Sequence, residues 1–188
     1  MADTAAPSLK RQEIVDRAYA LFYDGGFHAT GVDAVMADTG ISKRTLYKYF
    51  PSKEHLVEAV LVKYAGTVDG VMFQPALRRS DDPRAQIRAI FDVRREMMEA
   101  SGCQGCLAMK AAGEYAGKHE GITANGARSS QYIEGRFVAL CEKAGMADAA
   151  LRGCQINLLF QGAIQTSQMR GNTETFDAAK RALELLLS

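Results

Sequence analysis

Apolar residues recur at spacings of three and four along most of the chain, and no stretch alternates between apolar and polar residues as a half-buried strand would. The first such segment covers residues 9–24, where Ile14, Ala18 and Phe22 share one face. Two glycines follow it and permit the left-handed turn that commonly ends a helix. The pattern predicts an all-α protein of about nine helices.

Three further helices in the first third of the chain have clear start and stop signals. A brief helix is predicted over residues 31–39, and Gly40 then supplies a tight turn. Ser42 is placed to cap a third helix that runs to Phe50, because its hydroxyl can accept a backbone N–H of the first turn. Ser52 caps a fourth helix in the same way, and this helix is predicted to link the front of the chain to the rest.

The second half of the chain is predicted to be helical as well. Residues 74–83 contain Pro75 and a Ser-Asp-Asp run, which predicts a connection between the two halves. No segment approaches the roughly 20 apolar residues that a membrane span needs, and no secretion signal is recognisable, so we expect a cytoplasmic protein without a membrane partner. Beyond the connection, helices are predicted over residues 83–100, 106–118, 122–144, 148–170 and 173–187.

Charge is distributed unevenly along the chain, although the formal net charge is only +1. Between residues 39 and 53 the chain has no acidic residue and carries four cations, Lys43, Arg44, Lys48 and Lys53. The protein as a whole therefore lacks the polybasic character that would by itself indicate a nucleic-acid partner, but it has one short basic patch.

The basic patch coincides with two short helices joined by a glycine turn, which is the arrangement of a helix-turn-helix. Outward side chains of the second helix can enter a major groove, where the N-terminal end of such a helix reads bases and later positions contact phosphates. A plain solvated helix face is the alternative interpretation. The residues that we expect to contact DNA are Thr30, Lys43, Arg44, Thr45, Tyr47, Lys48, Tyr49 and Lys53.

Two stretches of sequence carry a family resemblance. They are Gly26-Phe27-His28-Ala29-Thr30-Gly31-Val32, and Thr45-Leu46-Tyr47-Lys48-Tyr49-Phe50 with Ser52-Lys53-Glu54. Together they closely resemble the DNA-binding domain of TetR-family repressors, over roughly residues 9–61. Three positions depart from the family pattern: Gly31 stands where Ser or Thr usually caps the second helix, and Met36 and Thr39 replace the usual alanines.

The resemblance implies a two-domain repressor of transcription. Residues 1–55 would form the helix-turn-helix domain, and residues 56–188 a helical domain for ligand binding and dimerisation. The partners implied are double-stranded operator DNA with a near-palindromic site, a small-molecule effector that releases the protein, and a second copy of the chain. A homodimer would use the last two helices, whose apolar residues either cover such an interface or fill the monomer core: Leu151, Leu158, Leu159, Phe160, Ile164, Phe176, Leu183, Leu186 and Leu187.

In this family the second domain encloses a ligand cavity, which is expected to be mostly apolar with a few polar groups. Each candidate lining residue can equally be ordinary core, because Met and Phe at helical spacing are standard packing residues. The candidate ligand-binding residues are Phe91, Met97, Met98, Cys103, Cys106, Met109, Tyr115, Phe137, Phe160, Gln161 and Gln165.

Cys103 and Cys106 also support a separate hypothesis, a thiol-based sensor of electrophiles or oxidants. Cys106 is predicted in the first turn of a helix, where the helix dipole favours a thiolate, and Lys110 lies one turn further on. Buried packing is the alternative, since Cys behaves as a small hydrophobe. We expect reduced thiols, no metal site and no cofactor, because the three histidines are scattered along the chain.

Two other classes of function are less well supported by the sequence. An enzyme would need Cys106 as nucleophile and His119 as base, and the chain has no Gly-rich phosphate loop after a strand and no metal-ligand motif. In a purely structural DNA-binding protein, half of the chain would have no function. We therefore expect a regulator and not an enzyme.

Overall fold

The structure is a computed structural model and describes residues 9–37 and 39–188. Within these residues there is no strand, so the predicted all-α class is confirmed. A π-helical turn over Asp69–Phe73 joins α4 to α5 without a break, which leaves nine separate helical rods in the part of the chain that is described. The α-helical segments are α1 (Leu9–Gly25), α2 (Val32–Met36), α3 (Lys43–Tyr49), α4 (Lys53–Val68), α5 (Gln74–Leu77), α6 (Pro83–Ala100), α7 (Leu107–Glu114), α8 (Glu120–Lys143), α9 (Ala149–Arg170) and α10 (Thr175–Leu187).

The first three helices and the start of α4 form a small domain around aromatic and aliphatic side chains. Phe22 and Phe27 are fully buried with ring centroids 5.1 Å apart, and Leu46 of α3 is buried in the same core. Both predicted caps are present: the Ser42 hydroxyl accepts from Thr45 N at 3.2 Å, and the Ser52 hydroxyl caps α4. This core and these caps fix the orientation of α3.

The second half is a bundle of long helices in which α8 and α9 pack closely. Gly153 makes this approach possible, because a Cβ atom there would lie 2.7 Å from Val138 Cα. The rings of Phe91, Phe137 and Phe160 meet at the centre of the bundle, with Phe91 and Phe160 centroids 5.1 Å apart. No helix among the described residues has the length and apolar character needed to cross a bilayer.

Several predicted boundaries differ from the observed ones. The predicted connection over residues 74–83 is wrong in its first part, since Gln74–Leu77 is helical and only the following turn connects the halves. Pro75 is the second residue of α5, which directly follows the π-helical turn. The helix predicted over 106–118 ends at Glu114, before a turn in which Gly117 has a φ of +68°. The brief helix predicted over 31–39 is shorter, Val32–Met36, and its residue 38 lies outside the described residues, as do residues 1–8 of the predicted first domain.

The seam between the two halves is made by α7 and the loop before it. The Glu114 carboxylate at the end of α7 accepts from Phe27 N at 3.1 Å and from His28 N at 2.7 Å. Lys110 Nζ donates to Tyr23 O at 2.7 Å. The first domain is thus held at the end of α1 and in the turn that follows it.

Candidate DNA-binding surface and central cavity

The N-terminal part and outer face of α3 carry three exposed cations. Lys43, Arg44 and Lys48 are exposed, and Tyr47 has 41% of its surface accessible. We call these four residues the α3 surface. Its charges and hydroxyl stand on a short rigid helix that is anchored by buried Leu46, which is the arrangement that a major groove can accept.

Hydrogen bonds order the start of this helix. The hydroxyls of Ser42 and Thr45 lie 2.9 Å apart, so Thr45 is held against the cap. Lys43 Nζ lies 2.8 Å from the carboxylate of Asp33 on α2, and this contact raises the pKa of Lys43. Lys43 is therefore charged and paired with Asp33, whereas no described side chain forms an ion pair with Arg44 or Lys48.

Three other predicted DNA contacts lie at the edge of the α3 surface or away from it. Tyr49 and Lys53 are half-buried beside it. Thr30 is only 8% exposed, and its hydroxyl donates to Leu21 O at 3.3 Å. The structure does not bring the Thr30 side chain to the exposed face, because the hydroxyl is used inside the first domain.

A cavity of about 340 Å³ lies between the two halves and is mostly apolar. Its walls come from α1, α4, the π-helical turn, α6, the loop before α7, α8 and α9. We call it the central cavity. It is lined by Tyr19, Tyr23, Lys63, Tyr64, Thr67, Val68, Val71, Met72, Arg94, Met97, Cys106, Ile133, Phe160, Gln161 and Ile164.

Polar groups of two kinds face this space. Burial raises the pKa of Tyr19, Tyr23 and Tyr64, so all three keep their hydroxyl protons at neutral pH. Arg94 is a buried cation with 5% of its surface exposed, and Gln161 has a buried Oε1 atom that no described residue hydrogen-bonds. An apolar cavity with a few convergent polar groups is typical of small-molecule sites.

The structure brings only some of the predicted ligand-binding residues to the central cavity. Met97, Cys106, Phe160 and Gln161 line it. Gln165 is exposed on α9 and does not line the cavity, because its helix turns that position toward solvent. The others are packing residues: Phe91, Met98, Cys103 and Phe137 belong to the core of the second half, and Met109 and Tyr115 pack against the first domain.

Sequence reasoning missed Arg94 and the tyrosines. A signal for Arg94 was present, since Ile87, Phe91, Arg94 and Met98 follow helical spacing on one apolar stripe and a charge on such a stripe is unusual. No local signal marks Tyr19, Tyr23 and Tyr64, because they reach the cavity only through the packing of α1 and α4 against the second half.

The cysteines and His119 have separate surroundings. Cys106 Sγ accepts a hydrogen bond from the Tyr64 hydroxyl at 3.3 Å, whereas His119 Nδ1 accepts from Ile122 N and caps α8. Cys103 is buried with a φ of +63°, and its N–H donates to Met98 O at 2.7 Å. Among the residues that the structure describes, no three His, Cys, Asp or Glu side chains are grouped as a metal site would need.

The last two helices leave apolar side chains in contact with solvent. On α9, Leu151, Leu158 and Met169 are 58%, 67% and 71% exposed and lie on one face, and Leu185 of α10 is 76% exposed. The other apolar residues considered for a dimer divide in two: Leu159 and Leu186 are half-buried, and the remainder fill the core of the second half. One face of the α9–α10 pair is therefore available to a partner.

A helix-turn-helix with exposed cations, followed by a helical domain with a cavity, defines the class of helix-turn-helix proteins that carry a second, ligand-sized site. Comparison with known proteins identifies the family. Residues 14–60 match the family model described as "Bacterial regulatory proteins, tetR family". The match confirms the resemblance of the N-terminal domain to the TetR family that the sequence showed.

Curated relatives align with about a third to a half of the chain. The chain is 35% identical over 91 residues to the transcriptional activator FasR of Mycolicibacterium smegmatis, which covers 48% of this chain and 41% of that protein. It is 31% identical over 99 residues to the transcriptional repressor KstR2 of Rhodococcus jostii, which covers 53% of this chain and 48% of the relative. The chain therefore spans less than half the length of these two relatives.

Solved structures extend the likeness of the fold to the whole chain. A TetR-family transcriptional regulator from Cytophaga hutchinsonii superposes with a TM-score of 0.85 at 17% identity, over 99% of this chain and 96% of that one. A TetR-family regulator from Streptomyces coelicolor gives a TM-score of 0.83 at 22% identity, over 94% and 93% of the two chains. At these identities the similarity establishes the fold.

Proposed function

We propose that this protein is a transcriptional repressor that binds a near-palindromic operator as a homodimer and releases it when a small molecule occupies the central cavity. The observation that carries the proposal is the α3 surface, a set of exposed cations on a capped helix in a TetR-type helix-turn-helix. Because the bacterial chromosome lies in the cytoplasm, such a protein would act there. No catalytic step is part of the proposal.

Within this proposal the residues of α3 divide into two roles. Lys43, Arg44 and Thr45 stand at the N-terminal end of the helix and would contact bases, whereas Tyr47 and Lys53 would contact phosphates. Base contacts determine which sequence is preferred, and phosphate contacts set affinity for all sequences and its dependence on salt.

The dimer would place two copies of α3 over the two halves of the operator. The exposed apolar face of α9 and α10 supports this part of the proposal, since a C2 interface uses the same patch on both subunits. Leu158→Glu would place a charge on that patch, and we expect it to give monomers in analytical ultracentrifugation and to weaken operator binding.

The first experiment is selection of bound fragments from a genomic DNA library at near-physiological salt. We expect one near-palindromic site to be recovered. Arg44→Ala should change the preferred sequence, Tyr47→Ala should weaken binding to all sequences, and the exposed Arg78→Ala, outside the first domain, should do neither. Recovery of unrelated sequences, or indifference to both α3 variants, would contradict the proposal.

A thiol-based release is the second candidate, and the observation in its favour is that Cys106 lines the central cavity. A thiol that adds to an electron-poor alkene forms one S–C bond, and its proton ends on the neighbouring carbon. We expect N-ethylmaleimide to release operator DNA from the native protein and not from Cys106→Ala, with the half-buried Cys154→Ala as control. Equal release from both variants would remove this candidate.

A further inference from the structure

We propose that the central cavity binds a small organic carboxylate with a compact apolar body, whose anionic head pairs with Arg94. Binding of the carboxylate is a property of the cavity alone. Only its consequence, the release of operator DNA, rests on the proposed function. The inference names the chemical class of the effector, which the relatives leave open for this chain.

The charges around the cavity are the first argument. Two cations, Lys63 and Arg94, line it, and no acidic side chain does. Lys63 is paired with Asp16 of α1, whereas Arg94 forms no ion pair with any residue that the structure describes. A cation that is 95% buried without a counter-ion is costly, and an anion bound next to it would offset that cost.

The hydrogen bonds around Arg94 are the second argument. A guanidinium has five N–H donors, and in the described part of the chain Arg94 has two hydrogen-bond partners, Gln104 O at 3.3 Å and the Tyr23 side chain, so donors remain for a ligand. The neighbouring hydroxyls are occupied as donors, since Tyr23 donates to Gly105 O at 2.9 Å and Tyr64 to Cys106 Sγ. The planar guanidinium matches a carboxylate with two parallel hydrogen bonds.

A single counter-charge favours a carboxylate over a phosphate monoester. Arg94 contributes one positive charge, and the charge of Lys63 is already balanced by Asp16. A phosphate monoester carries close to two negative charges at neutral pH and would leave one of them buried without a partner. A carboxylate carries one charge, so binding leaves the site neutral.

The remaining walls define the body of the ligand. Met72, Met97, Ile133, Phe160 and Ile164 are apolar, and a volume of about 340 Å³ is at the lower end of the range for small-molecule pockets. Among the side chains that line this cavity, Gln161 has a buried Oε1 atom without a hydrogen-bond partner in the described structure. A hydroxyl or N–H on the body of the ligand would satisfy it.

The site is connected directly to the first domain. Gln104, whose carbonyl accepts from Arg94, also donates from Nε2 to Asp24 at the end of α1, with a distance of 2.6 Å. Gly105 accepts from Tyr23 of α1. An anion at Arg94 would compete with Gln104 O for the guanidinium and so act on the loop that holds α1.

The test compares carboxylates with their neutral isosteres on the full-length protein without DNA. The probes are naphthoate, phenylbutyrate and decanoate, each beside its primary amide, and binding is measured by calorimetry. We expect at least one carboxylate to bind about tenfold or more tightly than its amide. Equal or weaker binding of all three carboxylates overturns the proposal, and this comparison needs no variant.

Variants then locate the preference. Arg94→Gln should remove it and Arg94→Lys should keep part of it, whereas Arg95→Gln on the same helix should retain it, since Arg95 does not line the cavity and is paired with Glu99 and Asp177. A preference that survives in folded Arg94→Gln, or is lost in Arg95→Gln, contradicts the assignment to Arg94. Fragment selection on the native protein separates the two proposals. Operator binding without a preference for carboxylates rejects only this inference, and a preference for carboxylates without operator binding rejects only the repressor function.

Discussion

The cations of the α3 surface and Arg94 carry the same charge in opposite surroundings. Arg44 and Lys48 are exposed on a helix whose neighbours in space are mostly neighbours in sequence. Arg94 is buried in a cavity whose walls come from segments as far apart as α1 and α9. Exposed charges act on a polyanion together and are screened by salt, whereas a buried charge acts on one group in contact with it. The comparison teaches that one surface suits a long regular ligand and the other a single small one.

The largest expected effect concerns the packing that encloses the cavity. Phe137 is fully buried between the rings of Phe91 and Phe160, so Phe137→Ala should lower the free energy of unfolding by about 3–5 kcal/mol through lost contacts and a new void. Chemical denaturation followed by circular dichroism measures this.

The control for that variant is Val62→Ala at a position that is 67% exposed, where we expect a change of less than about 0.5 kcal/mol. If both variants were equally mild, the second half would not be held by its aromatic centre, and the contrast between a rigid buried site and an exposed one would fail.

A smaller effect on the free energy of unfolding is expected at the seam between the two halves of the chain. Tyr115 packs against Phe27 and His28 of the first domain, and its hydroxyl is buried without a partner among the described residues. Tyr115→Phe removes an unsatisfied polar group and should raise the free energy of unfolding by about 1 kcal/mol.

The gain from Tyr115→Phe should increase in alkali. Burial raises the pKa of Tyr115 to about 12 from the ordinary value of 10.0, so the folded protein holds this proton more tightly than the unfolded chain. That contribution is complete below pH 10.0 and is lost as the pH rises through about 12, and phenylalanine has no such loss. Tyr132→Phe should behave in the opposite way at neutral pH, because its hydroxyl donates to Asp69 at 2.8 Å.

The smallest effect is expected on the α3 surface. Asp33→Asn removes the partner of Lys43 without changing α3, so the positive charge of Lys43 becomes available to DNA. The slope of log K against log salt for operator binding should steepen by about one, with little change in the unfolding midpoint. Asp81→Asn makes the same change in net charge in a turn outside the first domain and should leave the slope unchanged. An equal slope in both variants would mean that Lys43 does not contact DNA.

The α3 surface and the central cavity also differ in how much of each could be predicted from the sequence. The caps at Ser42 and Ser52 and the turn at Gly40 are local signals, and they predicted α3 and its exposed cations within one residue at each end. The helices from Pro83 onward were predicted with similar success where a glycine or proline marks their ends. Local chemistry is sufficient when a site is built from one short segment.

The cavity could be predicted only in part, since its lining depends on how distant helices pack. Phe91 and Phe137 have the residue type of a ligand pocket and instead fill the core, while Tyr19 and Tyr23 look like ordinary residues of α1 and reach the cavity. Periodicity shows which face of a helix is buried but not what lies opposite. The π-helical turn was missed for a related reason, because its wider turn follows no simple residue pattern.

Tyr19 and Tyr23 belong both to the segment that matches the TetR family model and to the wall of the central cavity. The two domains are therefore not interchangeable modules. Grafting the first domain of a TetR-family protein onto residues 61–188 would replace the α1 wall of the central cavity together with the α3 surface. Under the proposed function, a chimera designed to change the operator would change the effector as well. For engineering, the natural unit of exchange is α3 alone, whose exposed side chains do not line the cavity.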